Sequence, residues 1–148
     1  MAEQTVPQQS EHYGYANALD NLRQTAQAAA IVRAVCLAVV AQEDGVVNYD
    51  DNKPCRWATS IDAAVWRMHK VRDSYMETIN SPASVDWCTP LNLLEAMGAA
   101  LWHLDIGTNK YAMNHDEVMN LCEAVLETLS TLHDDLSATA KELQGGAA

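Results

Sequence analysis

The final third of the chain carries its clearest pattern. Val118, Cys122, Val125, Leu129, Leu132, Leu136 and Leu143 follow one another at spacings of 4, 3, 4, 3, 4 and 7. That is the rhythm of a helix that buries one stripe. Position 139, where the alternation would place another apolar residue, is Thr. Asn114 is placed to cap this helix, and Glu117 three residues on completes a variant of the capping box.

Three more helices precede it. The first is predicted from roughly His12 to Glu43, ending before Asp44-Gly45. It carries two apolar stripes, Tyr15, Leu19, Leu22 and Ala26 near its start and Ile31, Val32, Val35 and Val39 near its end. At about 100° per residue these centre on different faces. The stretch from Asp44 to Trp57 contains Asp50, Asp51, Asn52 and Pro54, all turn formers. Thr59 or Ser60 can cap a second helix with the stripe Ile61, Val65, Met68, Tyr75, Met76 and Ile79, which stops at Asn80-Ser81-Pro82. Thr89-Pro90 opens the third as a cap followed by proline at the first helical position, and Leu93, Leu94, Met97, Leu101 and Leu104 lead to Gly107.

The chain also echoes itself. Shifted by 62, Ala30 to Val39 falls on Asn92 to Leu101, so Ile31, Val32, Val35 and Val39 align with Leu93, Leu94, Met97 and Leu101. Gly45, Tyr49 and Asn52 meet Gly107, Tyr111 and Asn114. With one residue dropped, Ile61 to Val65 meets Cys122 to Leu126. Each half then reads helix, glycine-broken loop, helix. The expected fold is all-α, a four-helix bundle of two αα-hairpins with a possible internal pseudo-repeat and long first and last helices. Residues 12–144 form the single domain, and 1–11 and 145–148 are expected as loose ends.

Helix length adds an expectation about assembly. The first and last helices should run roughly 45 Å and the middle two roughly 25–30 Å. Their outer ends would project as a two-helix arm with Tyr15, Leu19, Leu22, Leu136 and Leu143 uncovered, so a homodimer through these residues is expected.

Charge narrows the partners. Twenty acids against nine bases give a net charge of −11, unsuited to a phosphate backbone, so no direct nucleic-acid binding is expected. The apolar run Ala28 to Ala41 is shorter than the roughly 18 residues of a membrane span and holds Arg33. The opening MAEQTVPQQS shows no secretion signal. A cytoplasmic location is expected, and with it four free thiols at Cys36, Cys55, Cys88 and Cys122.

Signatures of catalysis are absent: no Gly-rich phosphate loop, GxSxG or HExxH occurs. Asn48, Asp50 and Asn52 resemble the first ligands of a calcium loop, but Lys53 stands where glycine is needed and Thr59 where the final acid belongs. His103, His133 and Cys122 could together hold a metal, although their spacing does not ask for one. Arg33 is the sole charge between Arg23 and Glu43, and Arg72 interrupts the apolar stripe of the second helix, so both are candidates to contact an anion or ligand.

The sharpest lead is acidic. Asp116, Glu123, Glu127 and Asp134 fall within about 20° of one line along the last helix, and from 116 to 142 seven acids accompany Lys141 alone. Surface helices ordinarily interleave Glu with Lys. The sequence therefore points to a non-catalytic interaction module, a small acidic regulator or inhibitor that docks to a basic protein through this stripe, without cofactor or metal. Two alternatives stand beside it. One is a bundle holding a small molecule or metal in a core pocket lined by Trp66, Trp102, Met97 and Arg72, and the other is an inhibitor that mimics nucleic acid.

Overall fold

The structure, a computed structural model, describes residues 14–43, 56–78, 85–106 and 115–147. Four helices fill them: α1 Tyr15–Glu43, α2 Arg56–Thr78, α3 Cys88–Ile106 and α4 His115–Ala147. Contacts run α1 to α2, α2 to α3, α3 to α4 and α4 back to α1, which closes the all-α four-helix bundle that the sequence predicts. The side-chain bond from Arg67 Nε to Gln27 Oε1 fixes the register of α1 on α2 at 3.2 Å. Cys36 facing Cys122, with Cα atoms 6.2 Å apart, fixes α1 on α4.

The long-helix expectation holds: α1 and α4 have 29 and 33 residues, α2 and α3 have 23 and 19. Boundaries move. Helix α2 begins at Arg56, so Thr59 and Ser60 lie inside its first turns rather than capping it, and Trp57 and Ala58 enter the core. Helix α4 continues through Gly145 and Gly146 to Ala147, past the loose end expected at 145. Asn114, the expected cap of α4, and the tail 1–11 lie outside the described residues.

On α4 the predicted seam is buried from Val118 through Leu136. Beyond it the seam steps to Ala140, not to Thr139, and leaves Leu143 half-buried. Helix α1 departs from expectation. In place of two apolar faces it buries one continuous stripe, Ala18, Asn21, Thr25, Ala28, Val32 and Val35. The reason is volume: the leucines of α4 need small residues opposite them. Thr25 enters the core because its hydroxyl donates to the Asn21 carbonyl at 2.8 Å, which satisfies a polar group that water cannot reach.

This stripe also covers much of the supposed arm. Leu136 is fully buried within the chain, and Tyr15, Leu22 and Leu143 are half-buried against the same core. Of the five residues expected to wait for a second copy, only Leu19 is a large exposed side chain, at 45%.

Burial supports the internal echo. Val32 and Val35 are buried like Leu94 and Met97, and Ile31 is half-buried like Leu93. At an offset of 61, the buried positions Ile61, Ala64, Met68, Val71 and Tyr75 correspond to Cys122, Val125, Leu129, Leu132 and Leu136. Each hairpin thus turns the same helical phase inward.

The cysteine expectation needs correction. Cys36 and Cys122 form a disulfide linking α1 to α4 across the core, and Cys88 is a free, exposed thiol. Their separation of 86 residues hides the pair from any reading of spacing.

Candidate functional site

A groove of about 330 Å³ runs between the start of α3 and the middle of α4. Its α3 side is built by a helix start. The Asp86 carboxylate accepts the backbone N–H of Thr89 at 3.1 Å, the bond of an N-cap, so Asp86 caps this helix where the sequence suggested Thr89. Pro90 is the third residue of the helix, just before the first backbone bond, Leu91 N–H to the Trp87 carbonyl at 3.4 Å, so its missing N–H leaves no helical bond unmade, and Leu93 comes one turn later. The Thr89 hydroxyl and, next, its backbone N–H hold the Asp86 carboxyl below the ordinary carboxylate range.

The opposite wall is α4: Ala124, Glu127, Thr128, Thr131, Leu132 and Asp135. The two threonine hydroxyls turn back on their own helix, Thr128 donating to the Val125 carbonyl at 2.8 Å and Thr131 to the Glu127 carbonyl at 3.2 Å. What remains is an apolar floor of Pro90, Leu93 and Leu132 beneath three carboxylates, Asp86, Glu127 and Asp135. Among the described residues, no hydrogen bond or ion pair engages the Glu127 or Asp135 carboxylate. Among the described residues that build the groove there is no base: residues 85–106 contain no Lys or Arg, and α4 has only Lys141. The site offers negative charge above apolar surface.

The predicted acidic stripe is exposed at all four positions, Asp116, Glu123, Glu127 and Asp134. The groove receives only Glu127 of the four. Counted at about 100° per residue, the other three lie some 20–40° round the helix, toward the flank that faces α1. Asp86 and Asp135, which complete the groove, were not among the predicted site residues. Asp135 stands two turns after Glu127, a signal present in the sequence. Asp86 looked like loop until its bond to Thr89 made it a cap.

The two candidate arginines do not converge. Arg33 lines a shallow groove between α1 and α4, about 290 Å³, with Thr25, Ala29, Leu129 and His133. Among the described residues it has no hydrogen-bond or ion-pair partner. Arg72 sits on α2 and donates from Nη2 to Asp73 at 3.0 Å, an exposed pair with its sequence neighbour.

The residues proposed to line a core pocket are also scattered. Met97 is fully buried, and Trp66 is 57% exposed with the Lys70 ammonium 4.4 Å above its ring. The Trp102 and His103 side chains lie outside the described residues, as do Asn48, Asp50 and Asn52. Among the described residues no group of three His, Cys, Asp or Glu could hold a metal ion, and Cys122 is committed to Cys36. No described helix is long and apolar enough to cross a membrane.

Comparison of the chain with protein-family models, with curated proteins and with solved structures finds no significant match.

Proposed function

We propose that this protein is a non-catalytic docking module, a small acidic regulator or inhibitor that receives a basic segment of a partner protein in the α3/α4 groove. The observation that carries this reading is the pairing of Asp86, Glu127 and Asp135 with the apolar floor of Pro90, Leu93 and Leu132. Lysine and arginine side chains have the matching anatomy. Their aliphatic stems cover apolar surface while their charged heads stay in water, where carboxylates can meet them. An unopposed negative field also accelerates the encounter with a basic partner. Nucleic acid and membrane are not the targets of such a surface.

Binding of a fluorescent amphipathic peptide built from Leu and Lys at helical spacing tests the proposal. Its affinity should weaken at least about tenfold in the Glu127→Lys/Asp135→Lys double variant, because like charges then face each other. A peptide with Glu in place of Lys should not bind. Equal affinity of the Leu/Lys peptide for the variant and the parent would overturn the groove as the docking site.

A further inference from the structure

We propose that the α1/α4 side of the bundle is a self-association surface, on which α1 of one copy lies against α4 of a second copy around a two-fold axis parallel to the helices. This goes beyond the groove reading and uses the opposite flank of α4.

The outer face of α1 is unusually poor in charge for a surface helix. Leu19 and Leu37 are 45% and 65% exposed, and Ala26, Ala30 and Ala34 between them are exposed as well. Between Asp20 and Glu43 this helix carries no acid; its charges are Arg23, which pairs with Asp20 within its own chain, and Arg33, which has no ion-pair partner among the described residues. Exposed apolar side chains of this size mark an interaction surface when they line up on one face. For a chain of net charge −11, a second copy is repelled almost everywhere else, and its approach is favoured where bases meet acids.

The register inside one copy says which bases meet which acids. Cys36 and Cys122 stand level across the α1/α4 contact, and Thr25 and His133, which line the same groove, continue that register. Moving back along α1 and forward along α4, Arg33 is level with Val125, between Glu123 and Glu127. Arg23 is level with Asp135, next to Asp134. A two-fold axis parallel to the bundle leaves every level unchanged and exchanges α1 for α4. Arg33 of each copy therefore meets Glu123 of the other, and Arg23 meets Asp134. Exposed alanines, Ala26 and Ala30, fall opposite exposed Ser130, so small side chains let the two backbones approach. Leu37 is level with Leu121, two residues from Met119, which lies on the flank of α4 toward α1 and is half-buried in its own chain.

Each contact occurs twice, as an isologous interface requires. Four arginines are then matched with four carboxylates, and the α3/α4 groove of each copy remains on the far flank of α4. This interface differs from the helix-end contact expected from the sequence, sharing with it only Leu19.

Light scattering coupled to size exclusion, with circular dichroism as the control for folding, tests the arrangement. The wild type should be a dimer at micromolar concentration. Arg33→Glu and Glu123→Arg alone should each weaken dimerisation at least about tenfold while remaining helical, since each places like charges together at both contacts. Mixing these two variants should restore a dimer. In the mixed pair the acid introduced at position 33 of one copy faces the base introduced at position 123 of the other, and the second contact keeps its native pair of Arg33 and Glu123. A monomeric wild type, or a mixture no better associated than its parts, would overturn the proposal. Peptide binding in the groove is measured independently of both, since neither variant touches Asp86, Glu127 or Asp135.

Discussion

Leu94 and Leu129 are both buried and both belong to the core, yet truncating them should not cost the same. Leu94 is fully buried and lines none of the described surface grooves. Leu129 is 1% exposed but forms part of the floor of the shallow α1/α4 groove, beside Ala26, Ala29 and Ala30. Leucine-to-alanine changes in cores cost about 2–5 kcal/mol, and the spread follows the cavity that survives relaxation. At Leu94 the surrounding helices hold the void open, which places Leu94→Ala near about 4–5 kcal/mol. At Leu129 the groove can close, or water can enter from its mouth, which places Leu129→Ala near about 2–3 kcal/mol. For a chain of this size about 1 kcal/mol shifts Tm by roughly 2–4 °C, so the two variants should melt several degrees apart. Urea unfolding followed by far-ultraviolet circular dichroism gives both losses, provided the slope with denaturant is unchanged. A loss at Leu129 below about 0.5 kcal/mol, the range of surface changes, would show that the wrong face of α4 has been placed inside. Equal losses at the two sites would refute the cavity argument while leaving the fold intact.

Three further outcomes are expected. Protein prepared without reductant but protected from air should show two reactive thiols after denaturation, Cys55 and Cys88, and a count of four would mean that Cys36 and Cys122 are neighbours without being bonded. Because the Asp86 carboxyl sits below its ordinary value of 3.8, its contribution to stability is fully present above that value and is lost as pH falls through the lower folded value. Asp86→Asn should keep the cap and flatten this acid dependence in melts recorded across that window, whereas an unchanged profile would remove Asp86 from it. Trp66→Ala should cost less than about 1 kcal/mol, because the ring is 57% exposed and its face is covered by the Lys70 ammonium rather than by the core; Trp57→Ala, from a buried ring, should cost about 3–5 kcal/mol in the same assay.

The helices and most of the inward face were legible because they rest on local information. The 4-3 spacing from Val118 to Leu136, the proline near the start of α3 and the likeness of the two hairpins each need only a few neighbouring residues to be read. Those features predicted a four-helix bundle, and the structure is one. The seam of α1 was different. Its sequence offered Tyr15, Leu19 and Leu22 as an apolar stripe, but the core took Ala18, Asn21 and Thr25. Hydrophobicity ranks Asn and Thr as surface residues, whereas the space left by the leucines of α4 admits only small ones, and that space exists only after the helices pair.

The same distinction runs through the candidate sites. Acidity along α4 was visible in the sequence, because charge is a property of each residue. Its division was not: Glu127 joined Asp86 and Asp135 in a groove, while Glu123 and Asp134 turned toward the flank shared with Arg33. Which carboxylates share a surface depends on the helix across from them, and which cysteines meet depends on a register set over a separation of 86 residues. Sequence determined the elements and their charge; only packing decided which side chains became neighbours, because neighbourhood across helices is fixed by complementary volume and not by spacing along the chain.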